Sequence, residues 1–281
     1  MLVDTHCHVQ FDAYKTDAVD VIERAASRNI ILNVVGTQKN TSKKAVALAE
    51  SYDNIYATIG THPVHLHATH VDEEETSFLS REESFDTDFY TKLVQSKKVI
   101  AIGETGLDLF HLPKDVSKEE VLEKQTRVFL DHLAFAHVHE LPVVIHCRDA
   151  HEELLDVLSG VGHPISGTVH CYTGNWEFAQ EYMKHNLCLG FTGIISFPAK
   201  KTNPEPQEEL LRVVKNIPNE KMLIETDAPY LAPQAFRGKR NEPFMVEEVA
   251  KTIAEIKGMT FEEVADITTK NAQRIFTRMV I

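Results

Sequence analysis

Several features are scarce in this sequence of 281 residues, and each absence narrows the reading. No apolar run approaches the roughly 20 residues that a membrane span needs. The N-terminus lacks the basic and apolar regions of a secretory signal, so no export is expected and the expected location is cytoplasmic. Basic residues are outnumbered, 29 Lys and Arg against 42 Asp and Glu, for a net charge of −13. That excludes a protein that coats nucleic acid through a basic surface. It leaves room for an enzyme that holds a phosphate locally with metals and a few cationic groups. Four cysteines occur, Cys7, Cys147, Cys171 and Cys188, and three of them neighbour histidines that matter below. On a strand the neighbour of an inward residue points outward, so these thiols are expected as small buried hydrophobes. Linkers, internal repeats and low-complexity tracts are also missing. The expectation is one domain over residues 1–281, a length common for α/β barrels.

What is present is alternation. Short, mostly β-branched runs predict strands at Leu2–Thr5, Ile31–Val35, Ile55–Ile59, Val99–Gly103, Pro142–His146, Ser166–His170, Cys188–Thr192 and Met222–Thr226. Amphipathic stretches between them predict helices at Ala18–Arg28, Ser42–Ser51, Asp86–Lys97, Lys118–His139, Glu152–Ser159, Asn175–His185 and Glu208–Asn216. Phe244–Lys257, a short helix from Phe261 and a final one over Asn271–Met279 follow. Thr260 with Glu263 predicts a capping box. About eight strand–helix units imply a parallel sheet closed as a (β/α)8 TIM barrel with extra C-terminal helices. Residues 61–84 read as one long irregular loop. It carries His62, His65, His67, His70 and the acidic run 72–75, and is a solvated loop, a lid or an accessory metal site.

The ends of the strands carry the chemistry. Leu2–Thr5 runs into His6-Cys7-His8, with both imidazoles on one face. Glu104 ends the fourth strand, His146 the fifth, His170 the sixth and Asp227 the eighth. A lone strand-end histidine is usually an ordinary hydrogen-bonded core residue. Six metal-ligand residue types on the one barrel face where active sites form are a different matter. Four imidazoles and two carboxylates can hold two divalent cations if one carboxylate bridges. Glu104 is the natural bridge, between a site of His6, His8 and Asp227 and a site of His146 and His170. By strand phase, Asp4 is expected beneath the site where it orients a ligand, and Glu225 on the face of Asp227. His62, Arg148 and Arg237, the last in the basic loop Phe236–Asn241, are candidates for holding an anionic substrate.

These residues make the sequence resemble the TatD family of metal-dependent hydrolases, within the amidohydrolase superfamily. The matching stretches are Asp4–His8, Gly60–Pro63, Ile102–Asp108, Val144–Ala150, His170–Gly174 and Ile224–Leu231, with Asn271–Phe276 resembling the closing helix. The match runs in order through nearly the whole chain. The resemblance implies a TIM barrel, one or two divalent metals, and phosphodiester hydrolysis as a deoxyribonuclease trimming single-stranded DNA from the 3′ end. Glu104 stands where other superfamily members use a carbamylated lysine. Departures are Thr105, Leu109-Phe110-His111 and the His-rich segment after Pro63, all on the substrate side.

The expected chemistry is attack by a metal-activated water, with Asp227 as proton acceptor and later donor. Zn, Mn and Mg all suit such ligands, and two ions per subunit are expected. No obligate protein partner is implied. One alternative is an amidase, lactonase or phosphotriesterase acting on a small molecule. Another is a binding protein with a relict metal site.

Overall fold

The computed structural model describes residues 1–68, 70–73, 76–79 and 82–280, with 70–73 and 76–79 described in backbone only. The chain begins with β1 (Leu2–Cys7), α1 (Ala18–Ser27), β2 (Ile30–Val35), α2 (Lys39–Ser51) and β3 (Ile55–Ile59). A short hairpin, β4 (His70–Glu73) and β5 (Thr76–Leu79), precedes α3 (Thr87–Leu93), β6 (Val99–Asp108) and α4 (Lys118–Val138). Then come β7 (Val143–Arg148), α5 (His151–Ser159), β8 (Gly167–Val169), α6 (Trp176–Lys184), β9 (Leu187–Phe191) and α7 (Glu205–Asn216). The chain finishes with β10 (Met222–Ile224), α8 (Val246–Lys257) and α9 (Phe261–Ile275).

Eight strands form one sheet in the order β1-β2-β3-β6-β7-β8-β9-β10, with every neighbouring pair parallel. The ring closes between β1 and the chain after β10, where Cys7 and Ala228 form a parallel bridge. The Asp227 and His8 amides donate to the His6 and Ala228 carbonyls, both at 2.8 Å. This is the expected barrel, with helices between its strands.

Three local expectations are corrected. β6 does not stop at Gly103 but runs on to Asp108, buried throughout. Glycine inside a run reads as a break, yet here it permits close approach. At Gly106 φ is 145°, and an added Cβ would lie 2.0 Å from the His146 carbonyl oxygen. The segment 61–84 is not one irregular loop, because it contains the β4–β5 hairpin. The possible lid or accessory metal site over His70 and the acidic run lies outside the residues whose side chains are described. The two C-terminal helices expected beyond Phe261 are one, α9, started by the Thr260–Glu263 capping box.

The base of the barrel is closed by apolar packing. Val3, Ile31, Tyr56, Val144, Cys188 and Leu223, one from each of six strands, pack with Ala272, Ile275, Phe276 and Met279. The Phe276 side chain is fully buried there. Phe276→Ala should therefore cost about 3–5 kcal/mol of stability, read from the midpoint of denaturant unfolding. An unchanged midpoint would contradict this packing. Above that layer the interior turns polar. Asn33 donates to the Thr5 carbonyl at 3.0 Å and accepts from the Thr58 hydroxyl at 2.9 Å. Glu225 and Thr168 are also buried. The site stands on this layer, at the C-terminal ends of the strands.

Candidate metal centre

The structure brings His6, His8, Glu104, His146, His170 and Asp227 together at that mouth. His6 Nε2 lies 3.2 Å from His8 Nε2, 3.3 Å from Glu104 Oε2 and 3.6 Å from Asp227 Oδ1. His8 Nε2 is 3.3 Å from Asp227 Oδ1. On the far side of Glu104, Oε1 lies 2.7 Å from His170 Nε2 and 3.1 Å from His146 Nδ1. The two oxygens of Glu104 thus face the two halves of the cluster, as a bridging carboxylate must. His6 and His170 stack with ring centroids 4.0 Å apart, which joins the halves.

The backbone turns sharply to present these groups. Asp227 and Cys171, each just past a barrel strand, hold left-handed conformations with φ of 57° and 45°. Such conformations persist only where the surroundings enforce them. Around Asp227 they do. Asp4 accepts from the Thr226 amide at 2.8 Å and from its hydroxyl at 2.6 Å. Asp4 therefore anchors the segment that carries Asp227, and its Oδ1 also accepts from the His6 amide at 3.3 Å. The β1–β2 register shifts between Asp4 and Cys7. Glu225 faces His170, Oε1 to Nδ1 at 3.5 Å, and accepts from the Thr5 hydroxyl at 3.2 Å and the Cys171 amide at 2.5 Å.

Hydrogen bonds fix which ring nitrogens are bare. His8 Nδ1 donates to the Val35 carbonyl at 2.7 Å, so neutral His8 turns a lone pair on Nε2 toward Asp227. His146 Nε2 donates to Asp108 Oδ2 at 3.1 Å, so neutral His146 turns its Nδ1 lone pair toward Glu104. A ring nitrogen and a carboxylate oxygen this close need a proton or a metal cation between them. Without metal it is a proton: burial lowers His8 and His146, but the hydrogen bonds to Asp227 and Asp108 override it and raise them. The donor set therefore fits divalent metal, and imidazole with carboxylate suits first-row ions. His62 is different. Its Nδ1 accepts from the Val64 amide at 3.1 Å, which puts the proton on Nε2, 3.2 Å from Glu104 Oε1. His62 thus sits beside the cluster as a donor to Glu104, with its side chain 10% exposed.

The charges agree with this arrangement. Burial alone would raise the Glu104 carboxyl, but the imidazoles of His170, His62 and His6 and the hydrogen bond from His146 hold it well below the ordinary value. Burial likewise opposes ionisation of Asp227, yet the hydrogen bond from His8 and the charges of His6 and His170 lower it. Burial lowers His6, with His170 adding to the effect. For His170 burial is overridden by Glu104 and Glu225, which raise it. Two anionic carboxylates among imidazoles are what a cation site needs.

The substrate candidates sit farther out. The Arg148 guanidinium lies over the Phe110 ring, 3.9 Å from its centroid. Arg237 lies over Phe197 at 4.6 Å. Arg240, in the same basic loop, is tied to Asp17 by contacts of 3.0 and 2.5 Å, so it serves the fold. Cys7 and Cys147 are buried free thiols as expected, Cys171 is partly exposed against that expectation, and Cys188 is buried too.

Sequence reasoning missed Asp108 and His132. Asp108 is fully buried, and its carboxylate joins His146 to His111 at 3.1 and 2.8 Å. Had β6 been read past Gly103, phase would have put residue 108 on the face of Glu104. His132 on α4 looks like part of an apolar stripe. Its Nδ1 donates to the Val128 carbonyl at 2.7 Å and its Nε2 accepts from the Thr61 amide at 3.0 Å, beside His62. Burial pushes His132 down to about 4 from the ordinary 6.5, against a smaller opposing effect of the Val128 carbonyl. The folded state then refuses a proton that the unfolded chain accepts. This contribution is complete above pH 6.5 and falls by about 3 kcal/mol as pH drops to 4. His132→Gln, with an acceptor but no titration, should flatten the acid limb of a Tm-against-pH curve. An unchanged limb would contradict the assignment.

Comparisons with known proteins show the family of the chain. The model of the TatD related DNase family matches residues 3–277. "Uncharacterized metal-dependent hydrolase YabD" of Bacillus subtilis is 44% identical, the match covering 98% of this chain and 99% of that protein. "Uncharacterized metal-dependent hydrolase YcfH" of Escherichia coli K12 is 31% identical over 98% and 95%. The crystal structure of YjjV, a TatD homolog from Escherichia coli K12, superposes with a TM-score of 0.81 at 28% identity, covering 98% of each chain. No helix among the described residues is long and apolar enough to cross a membrane. The chain belongs to the TatD-related DNase family and is a metal-dependent hydrolase.

Proposed function

We propose that the protein is a deoxyribonuclease that hydrolyses phosphodiester bonds of single-stranded DNA from the 3′ end, with two divalent cations held at the barrel mouth. One observation carries the reading: the two oxygens of Glu104 each face a separate set of imidazoles, 3.3 Å from His6 on one side and 2.7 Å from His170 on the other. His6, His8 and Asp227 form one candidate ligand set, His146 and His170 the other, and Glu104 belongs to both. Zn, Mn and Mg all suit these donors. Cations bound there supply Lewis-acid chemistry, making water easier to deprotonate and offsetting negative charge on the phosphoryl oxygens.

The chain's own groups divide the remaining work. The Asp227 side chain is 14% exposed and that of Glu104 only 4%. Asp227 is thus the carboxylate open to the reacting water. It accepts the proton and returns it to the leaving 3′ oxygen. His62 Nε2 donates to Glu104 and holds the bridge in place. Arg148 and Arg237 meet the phosphates at the rim, a local need in a chain of net charge −13.

The test uses purified protein with 5′-end-labelled single-stranded DNA and added Mg²⁺ or Mn²⁺, with a chelator control. The reading expects a ladder shortening from the 3′ end that vanishes with chelator. DNA left intact under every cation, with a small neutral ester or amide cleaved instead, would overturn it.

A further inference from the structure

Beyond the metal centre, one side chain at the mouth is unexplained by packing. Phe110 is 55% exposed, the aromatic among the large apolar side chains that the described residues leave open. It is not a floppy surface residue. Asp108 Oδ1 accepts from the Phe110 amide at 2.9 Å and from the His111 amide at 2.8 Å. The same carboxylate holds His111 Nδ1 and His146 Nε2 through Oδ2. The loop that displays the ring is therefore pinned to a histidine of the metal cluster. Behind the ring lies the Arg148 guanidinium, 3.9 Å from the centroid, from the residue paired with Asp108 in the β6–β7 ladder.

The arrangement recurs on the other side. Phe197, beyond β9, carries Arg237, beyond β10, at 4.6 Å. Between β7 and β9 runs β8, whose end supplies His170. Guanidinium-backed aromatic rings thus flank the cluster around the barrel mouth. An exposed ring face with a cation against its other side offers a stacking surface and a phosphate contact in one place.

We propose that Phe110, backed by Arg148, is a base-stacking subsite, so the substrate is a single nucleic-acid strand with an unpaired base beside the bond that is cut. The inference rests on the phosphodiesterase reading above and adds how the strand is gripped. A base inside a duplex has both faces covered by its neighbours and cannot use such a ring. Arg148 serves the adjacent phosphate from the same pair.

The experiment compares the metal-loaded protein with its Phe110→Ala and Phe110→Trp variants. Each cleaves two labelled single-stranded oligonucleotides, one ordinary and one with abasic residues at its 3′ end. Stacking on one ring is worth on the order of tenfold to a hundredfold. The unaltered protein should favour the ordinary strand by that factor, chiefly through KM. F110A should lose the preference, its ordinary-to-abasic ratio falling to about one, and F110W should keep it. An equal base preference in F110A, or none in the unaltered protein, overturns the subsite and leaves the nuclease reading standing. Failure to cut either strand under any cation overturns both.

Discussion

Replacing Glu104 with glutamine is expected to abolish cation-dependent stabilisation and to lower hydrolysis roughly 10³-fold or more. Glu104 is buried, with one oxygen 3.3 Å from His6 and the other 2.7 Å from His170. Glutamine keeps the shape but loses the charge and puts an N–H₂ where one oxygen stood. One half of the cluster then meets a donor instead of an acceptor. Loss of a bridging anion removes several kcal/mol of charge complementarity, and about 4 kcal/mol is already a factor of roughly 10³ in rate. The physical readout is separate from activity. A ligand at 100 times its Kd raises stability by about 2.7 kcal/mol, so cations should raise the Tm of the parent. They should leave E104Q nearly unmoved. A variant that binds and is stabilised like the parent would show that Glu104 is only a partner of the histidines.

Asp227→Asn should separate chemistry from binding. Asparagine keeps an oxygen toward His6 and His8, whose Nε2 atoms lie 3.6 and 3.3 Å from Asp227 Oδ1. It cannot accept a proton near neutral pH. General acid–base groups typically contribute 10²–10⁴-fold. The expected outcome is therefore a fall in kcat of that order, with KM within a few-fold and cation affinity reduced far less than in E104Q. Full activity in a cation-loaded D227N would remove Asp227 from the proton path. A collapse of cation binding as severe as that of E104Q would make it a ligand alone.

How far these residues could be read from sequence depended on periodicity. The barrel was legible because each strand is a short apolar run between amphipathic stretches, and the parallel order follows from that alternation. The cluster was legible because its members sit at strand ends. Phase placed Asp4 beneath the site but could not name its partners, the Thr226 amide and hydroxyl and the His6 amide. Asp108 was hidden because Gly103 and Gly106 look like the end of a strand, although Gly106 lets β6 press against His146. His132 depends on a contact across 71 residues of chain, from the Thr61 amide, which no local pattern encodes. The loop after β10 reads as basic, with Arg237 its candidate for a phosphate. Its Arg240 instead pairs with Asp17, far away in sequence, and Arg237 remains at the rim over Phe197.

The central claim is that the side chains around Glu104 form a centre for two cations. Titrating Mn²⁺ calorimetrically into chelator-treated, refolding-checked protein tests it most directly. The account predicts two bound ions per chain, both lost or much weakened in E104Q, with the His146→Ala variant retaining one. No binding by the parent, or binding indifferent to Glu104, would contradict it.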